Sequence, residues 1–331
     1  MRFVIWIIAF ATLAWSAYWF VASAAISRSA EAWFDDRRAE GWAAEYSALD
    51  VGGFPYRFDT VLSDLELADP ATGVLWTMPR FEVTALAYAP THVLAIFPDA
   101  QTLASPFNTL SVTTEDMRAS ARLTGTSLAL SETRAELAAL TATSTQGWEI
   151  RLASALAAAR AGDGANTYDI YFEATDLRPS DTLRLGLDPQ GRLPDTFETL
   201  KLDATAVFDA PWDRFAIERA RPQPTRFDLK DFDARWGQLE LRAVGQLAID
   251  ARGTPDGQIT IKATNWREIV SLGEATGVVP EGFVPAITSA LEALASLSGP
   301  PNTIDVPLTF ARGRLSLGPF PLGPAPRIRL R

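Results

Sequence analysis

The sequence predicts a mainly β protein, an antiparallel extended curved sheet or sandwich with a few accessory helices, behind one N-terminal transmembrane helix. Three observations carry this. The run from Phe3 to Ile26 holds twenty-four residues and no charge. From Leu49 onward, apolar and polar side chains alternate with a period of two, in segments bounded by Gly, Pro, Asp and Asn. Finally, strands and helices do not alternate regularly, which argues against a parallel α/β body.

Taken in order, the chain reads as a membrane anchor or uncleaved signal over 1–28, a juxtamembrane amphipathic helix over 29–46 and a periplasmic β-rich domain over 47–331. A helix of the length of Phe3–Ile26 measures about 36 Å, enough for a hydrocarbon layer of about 30 Å. Trp6, Trp15, Tyr18 and Trp19 suit a membrane interface, where amphipathic rings collect. Arginines on both sides of the run leave its orientation unmarked. A cleaved signal is the competing reading, because Ala22-Ser23-Ala24 is an acceptable small-residue cleavage pattern. Either reading exports the body. Ala32, Trp33, Ala39, Trp42 and Ala43 are the apolar residues that suggest the second helix.

In the body, Phe81, Val83, Ala85 and Ala87 mark one strand face, and Trp148, Ile150 and Leu152 another. Tyr168, Ile170 and Phe172 follow, then Leu200–Ala206, Leu239–Ile249, Gln258–Thr264, Ile304–Phe310 and Leu315–Leu317. Helices are expected over Asn265–Glu274, with Asn265 as cap and Gly273 or Gly277 as stop, and over Pro280–Leu297, where Phe283, Val284, Ile287, Leu291, Leu294 and Leu297 keep helical spacing before Ser298-Gly299-Pro300-Pro301. Arg134–Leu140 is a further helical segment by composition. Leu200–Ala210 and Leu239–Ala251 echo one another faintly, as two amphipathic strands do. The Pro-rich stretch Arg221–Thr225 is either a domain boundary or a strand-to-strand loop.

Composition removes many chemistries. Forty acidic against thirty basic residues, a net charge of -10, argue against nucleic-acid binding. No cysteine means no disulfide, thiol nucleophile or thiolate metal site. One histidine, His92, excludes a two-histidine zinc helix, and no partner in the sequence makes it a base. No nucleophile elbow, phosphate loop, dinucleotide fingerprint or calcium loop is present. Gly162-Asp163-Gly164 reads as a turn. Carboxylates group at Asp35/Asp36, Asp181/Asp188, Asp209/Asp213, Asp228/Asp231/Asp233 and Asp250/Asp256. Asp231 and Asp233 share a strand face, as a cation site wants, but Lys230 and Arg235 flank them. Only three of the basic residues are lysine, a preference that matches a GC-rich genome better than phosphate binding. No catalytic, cofactor or metal residue is assigned, and the protein is read as no enzyme.

The sharpest local feature is Gly52-Gly53-Phe54-Pro55-Tyr56-Arg57-Phe58-Asp59, an extended segment whose glycines permit unusual backbone angles and whose proline removes a ladder donor. A bulge or sheet-edge role suits it better than a binding role. Placed after an N-terminal span, this GGFPYRFD resembles the bacterial family catalogued as domain of unknown function 2125. The resemblance continues through Trp236-Gly237, Leu239, Gly245, Asp250, Gly253 and Gly257, and in the closing Gly313-Arg314-Leu315, Leu317-Gly318-Pro319 and Leu322-Gly323-Pro324. It implies a membrane-anchored envelope protein and brings no activity. By architecture alone the body is similar to the long sheets of AsmA-type envelope proteins, which are linked to lipid movement.

The expected partners are therefore the inner membrane and either a lipid or other amphiphile along an apolar sheet face, or an envelope protein docked on a closed scaffold. Whether that face is open or filled separates the two.

Overall fold

The longest element is α1 (Arg2–Ala39), one unbroken helix that joins the apolar run to the segment behind it. In the computed structural model, which describes residues 2–70, 72–188, 191–218, 221–275, 282, 284–298, 302–318 and 320–330, strand takes up 55 % of the chain and helix 22 %, so the mainly β class holds. The second helix expected over 29–46 ends early. The amide of Gly41 reaches the carbonyl of Arg38, and that of Trp42 reaches Arg37, which closes the helix. Trp42 and Ala43 thus lie beyond it, and β1 (Ala43–Glu45) begins at once. Trp33, expected on the apolar face, is 44 % exposed; Phe34 is the buried ring.

The chain divides into two compact units, Met1–Leu123 with Ala135–Gly147, and Thr124–Arg134 with Trp148–Arg331. The Arg221–Thr225 stretch lies inside the second unit and is a loop into a strand, not a boundary.

In the first unit, β2 (Ala48–Gly52), β3 (Arg57–Asp69), β4 (Val74–Leu86), β5 (Ala89–Ile96), β6 (Ala100–Ser105), β7 (Asn108–Thr113), β8 (Asp116–Thr124) and the second part of β9 (Ala129–Ser144) follow β1. β3 is the hub, antiparallel to β1, β2 and β4. β4 continues the sheet to β5 and β6. Leu62 and Leu65 are three residues apart yet enter one core, as do Phe81 and Met78 opposite them. The phase changes in both strands between the Ser63–Arg80 and Leu65–Met78 pairs, where Asp64 takes a φ of +48°. Phe34 of α1 joins this core, and Trp19 of α1 meets Phe58 and Ala87 in a second one. The Arg134–Leu140 segment is strand, not helix: it lies within β9, which pairs with β7 over Thr141–Ser144. Alanine, leucine and arginine favour a helix locally, but sheet pairing overrides propensity.

In the second unit, nine strands form a meander in which each pairs antiparallel with the next: β10 (Glu149–Ala161), β11 (Thr167–Leu177), β12 (Phe197–Phe208), β13 (Pro224–Trp236), β14 (Leu239–Ile249), β15 (Pro255–Thr264), β16 (Thr303–Ala311), β17 (Arg314–Leu317) and β18 (Phe320–Pro324). The register sorts side chains cleanly. Ala159, Ile170, Ala204, Leu229, Gly245, Ile259, Leu308 and Leu317 stand in one row across eight strands. The adjacent row on the other face reads Arg160, Asp169, Thr205, Asp228, Gln246, Gln258, Thr309 and Ser316. A bulge in β13 preserves this sorting, since two successive polar residues, Lys230 and Asp231, separate Leu229 from Phe232 and return Phe232 to the apolar face. Beside the bulge, Gly245 runs so close to β15 that a Cβ would sit 2.2 Å from the Gln258 carbonyl oxygen.

Among the described residues, four helices interrupt the meander: α2 (Asp181–Leu187), α3 (Arg214–Glu218), α4 (Trp266–Ala275) and α5 (Val284–Ser298). The last two match the expected pair, with changes at their ends. Asn265 stands at the N-terminus of α4, its carbonyl accepting from the Glu268 and Ile269 amides at 3.2 and 3.4 Å, while its side-chain amide donates to the Gln238 carbonyl at 2.6 Å. Gly273 lies within α4 and does not end it. Gly277, Pro280, Phe283, Gly299, Pro300, Pro301 and Pro319 lie outside the described residues, as do the side chains of Leu294 and Leu297.

Replacing Gly245 by Ala forces the two backbones apart and is expected to cost about 2–4 kcal/mol. Gly186→Ala in α2, where no atom lies within 4 Å of the new methyl, serves as the neutral or stabilising control. Thermal unfolding of the two variants distinguishes them, and equal melting temperatures would contradict the assigned β14–β15 approach.

Candidate functional site

Two features that the sequence presents separately, the interfacial aromatics of α1 and the GGFPYRFD segment, form one structure. The segment leaves β2, turns at Gly52–Tyr56 and enters β3. The amides of Tyr56 and Arg57 both return to the Gly53 carbonyl, at 3.2 and 2.9 Å. Gly53 has a φ of +95°, and a Cβ there would meet the Arg57 carbonyl oxygen at 2.8 Å. Only glycine makes this turn without strain. Arg57 then pairs with Asp59 at 3.0 Å.

This turn carries acceptors that α1 uses. The Trp15 indole N–H donates to the Pro55 carbonyl at 2.9 Å, and the Trp19 indole N–H donates to the Arg57 carbonyl at 2.7 Å. The Tyr18 hydroxyl donates to the Ala87 carbonyl at 2.8 Å, in the turn between β4 and β5. Trp19 also stacks on Phe58 with centroids 5.7 Å apart, and Phe20 stacks on Phe54 at 5.5 Å. Trp19 is only 5 % exposed. Three of the four interfacial aromatics thus dock on the body, each with its polar hydrogen satisfied. Trp6 does not join them and stands exposed. From the segment, Phe54, Pro55, Arg57 and Phe58 contact α1, while Tyr56 is exposed and its carbonyl accepts from the Ala87 amide at 2.9 Å.

The second candidate is the apolar face of the second unit. Trp266, Ile287, Leu291 and Ala295 of α4 and α5 cover Ala263, Ile304 and Val306. Farther across the same face, Ile170, Phe172, Leu202, Phe227, Phe232, Ile259 and Ile261 remain half-buried, neither sealed nor free. Phe172, Leu202, Phe232, Ala243 and Ile261 form one continuous row on it.

The opposite face accounts for the carboxylates. Asp169 accepts from Lys230 at 2.8 Å and from Thr205 at 2.6 Å. The hydrogen bond from Lys230, aided by Thr205, holds the Asp169 carboxyl below its ordinary range. Asp169 in turn raises the Lys230 ammonium. Asp231 pairs with Lys201 at 3.0 Å and raises it likewise. Asp233 is held by Arg235 at 2.7 Å and Arg242 at 3.7 Å. Asp231 and Asp233 are therefore compensated by cations of the protein itself. Asp213 and Asp250 bind backbone amides in turns. His92 sits in β5 opposite Arg122, on an exposed strand surface. Gly162-Asp163-Gly164 forms the turn between β10 and β11.

Trp19→Ala is expected to cost the first unit about 3–5 kcal/mol, and Trp19→Phe about 1 kcal/mol through the lost indole bond. Chemical denaturation of the full chain in detergent measures both, and a Trp19→Phe variant as stable as the wild type would refute the hydrogen bond's role. Asp169→Asn should cost about 0.5–1 kcal/mol at neutral pH, the range of partly exposed pairs. Because the folded carboxyl titrates below its ordinary value of 3.8, its contribution is present above that pH and fades as pH falls through the folded value. The stability gap between variant and wild type should therefore close in acid; a gap that widens on acidification would reverse the sign.

Comparison with curated proteins and with solved structures finds no match. The profile of a family described as an uncharacterised protein conserved in bacteria, DUF2125, matches residues 19–326. The matched stretch opens on Trp19, the first residue of α1 buried against the body, and includes the docking turn and the strands of both units. The GGFPYRFD segment and the glycine-punctuated strands behind it are thus parts of a shared fold, and this chain belongs to the DUF2125 family.

Proposed function

We propose that this protein is a membrane-anchored, non-enzymatic envelope protein, its body in the periplasm, that takes a lipid or another amphiphile on the apolar sheet face of its second unit. The observation that carries the reading is the continuous row Phe172–Leu202–Phe232–Ala243–Ile261, in which the large side chains stay half-buried. A closed core would seal such residues, since each large apolar side chain gains about 1.5–3 kcal/mol on full burial. Here α4 and α5 cover only part of the face. A polar opposite face keeps the sheet soluble on its other side.

The anchor reading rests on α1. Its apolar window has a mean hydropathy of 1.8 and is 6 % buried, unlike a soluble core helix. Cleavage after Ala24 would remove Trp15, Tyr18 and Trp19 and uncover Phe58, so the docked aromatics favour an uncleaved span.

The test reconstitutes the full chain in phospholipid vesicles carrying a diazirine-bearing phospholipid, and maps the labelled residues by peptide mass spectrometry. Labelling at Phe172, Leu202, Phe232 and Ile261, reduced several-fold by Phe232→Glu in a variant that keeps its melting temperature, is the expected result. Labelling confined to α1 would refute lipid binding by the sheet. A defined protein crosslinked to this face in native membranes would instead favour the scaffold.

A further inference from the structure

The free part of α1 is shorter than a membrane. Residues 2–15 carry no side chain buried by the body, apart from the indole bond at Trp15, and measure about 21 Å as a helix. A hydrocarbon core is about 30 Å thick. From Ser16 onward the helix lies along the first unit, with Trp19, Ser23 and Phe34 buried. To cross the bilayer, α1 must therefore use residues up to about Phe20, some 28 Å from Arg2. That places the outer boundary of the hydrocarbon at the level where α1 is already docked.

What surrounds the helix at this level is aromatic. Trp15 is bonded to Pro55, and Tyr18 to Ala87. The neighbours of those two acceptors are Phe54, Tyr56 and Tyr88, which are 49, 68 and 69 % exposed. Tyr56 and Tyr88 lie on two separate turns that the Ala87–Tyr56 backbone bond ties together. Single exposed aromatics on a soluble surface need no explanation, but Tyr56 and Tyr88 beside an apolar helix, next to the docked Trp15 and Tyr18, match the belt that tryptophan and tyrosine form at membrane interfaces, with Phe54 adding apolar area. Arg57, half-exposed and paired to Asp59, stands next to them, where a headgroup layer accepts a charged tip.

We propose that the Gly53–Phe58 turn and the tip of the β4–β5 hairpin form a collar that seats the first unit in the bilayer, with Phe54, Tyr56 and Tyr88 in the interfacial layer. The inference rests on the reading of α1 as a span, and it adds that the body does not hang from a free tether but rests on the lipid. The collar is rigid by construction: it is hydrogen-bonded to the helix whose depth it matches.

The chain contains no cysteine, so single labels can be placed at will. Tyr56→Cys, Tyr88→Cys, Leu13→Cys and Phe107→Cys, each carrying an environment-sensitive fluorophore, are to be reconstituted as full chains in phosphatidylethanolamine–phosphatidylglycerol vesicles with shallow or deep spin-labelled lipids. All four positions are exposed, Phe107 at 87 %, so the labels leave the packing intact, as melting curves would verify. The expected result is quenching of positions 56 and 88 by the shallow quencher, of 13 by the deep one and of 107 by neither. Quenching at 13 while 56 and 88 stay as water-exposed as 107 would overturn the collar and leave the span standing. Absence of quenching at 13 would overturn both.

Discussion

An antiparallel sheet whose side chains alternate has one apolar face, and that face must be covered by something. This requirement organises both units. In the first, the cover is α1, a helix whose N-terminal half is far too apolar to be needed for the purpose. In the second, the cover is α4 and α5, which are too few for an eight-strand face. The first unit thus has an excess of apolar cover and the second a deficit. The excess is what supports the proposed membrane anchor, and the deficit is what supports the proposed amphiphile site.

The docking of α1 depends on a small set of directional contacts. Apolar packing alone would let a helix slide or rotate along a sheet, because it is nearly isotropic. The indoles of Trp15 and Trp19 and the hydroxyl of Tyr18 remove that freedom by donating to three backbone carbonyls on two turns. Gly53 makes the first turn tight enough to present two of these carbonyls. The segment therefore fixes the helix along its axis and in rotation, which gives this unusual string of glycine, proline and aromatics a structural role.

The charged face of the second unit illustrates the opposite regime. Its ion pairs run across strands, among Asp169, Lys230, Asp231 and Lys201, in contact with solvent. They contribute little each and owe their arrangement to the β13 bulge, which sets Lys230 and Asp231 side by side opposite Asp203. In the second unit, Asp213 and Asp250 bind backbone amides in turns, while Asp169, Asp231 and Asp233 belong to this solvated ladder.

The sequence by itself determined the uncharged span, the period of two and hence the two faces of nearly every strand, because these are properties of neighbouring residues. It also located GGFPYRFD as special. It misassigned Arg134–Leu140, whose helix-forming composition yields to its place within strand β9, and it extended the juxtamembrane helix through Tyr46, past the stop at Gly41. Only the tertiary structure decided that the aromatics of α1 and the GGFPYRFD turn meet, that Leu62 and Leu65 share a core across a phase change, and that α4 and α5 pack on Ala263, Ile304 and Val306. Each of these is a contact between residues distant in sequence, and a local periodicity carries no information about which distant partner closes it.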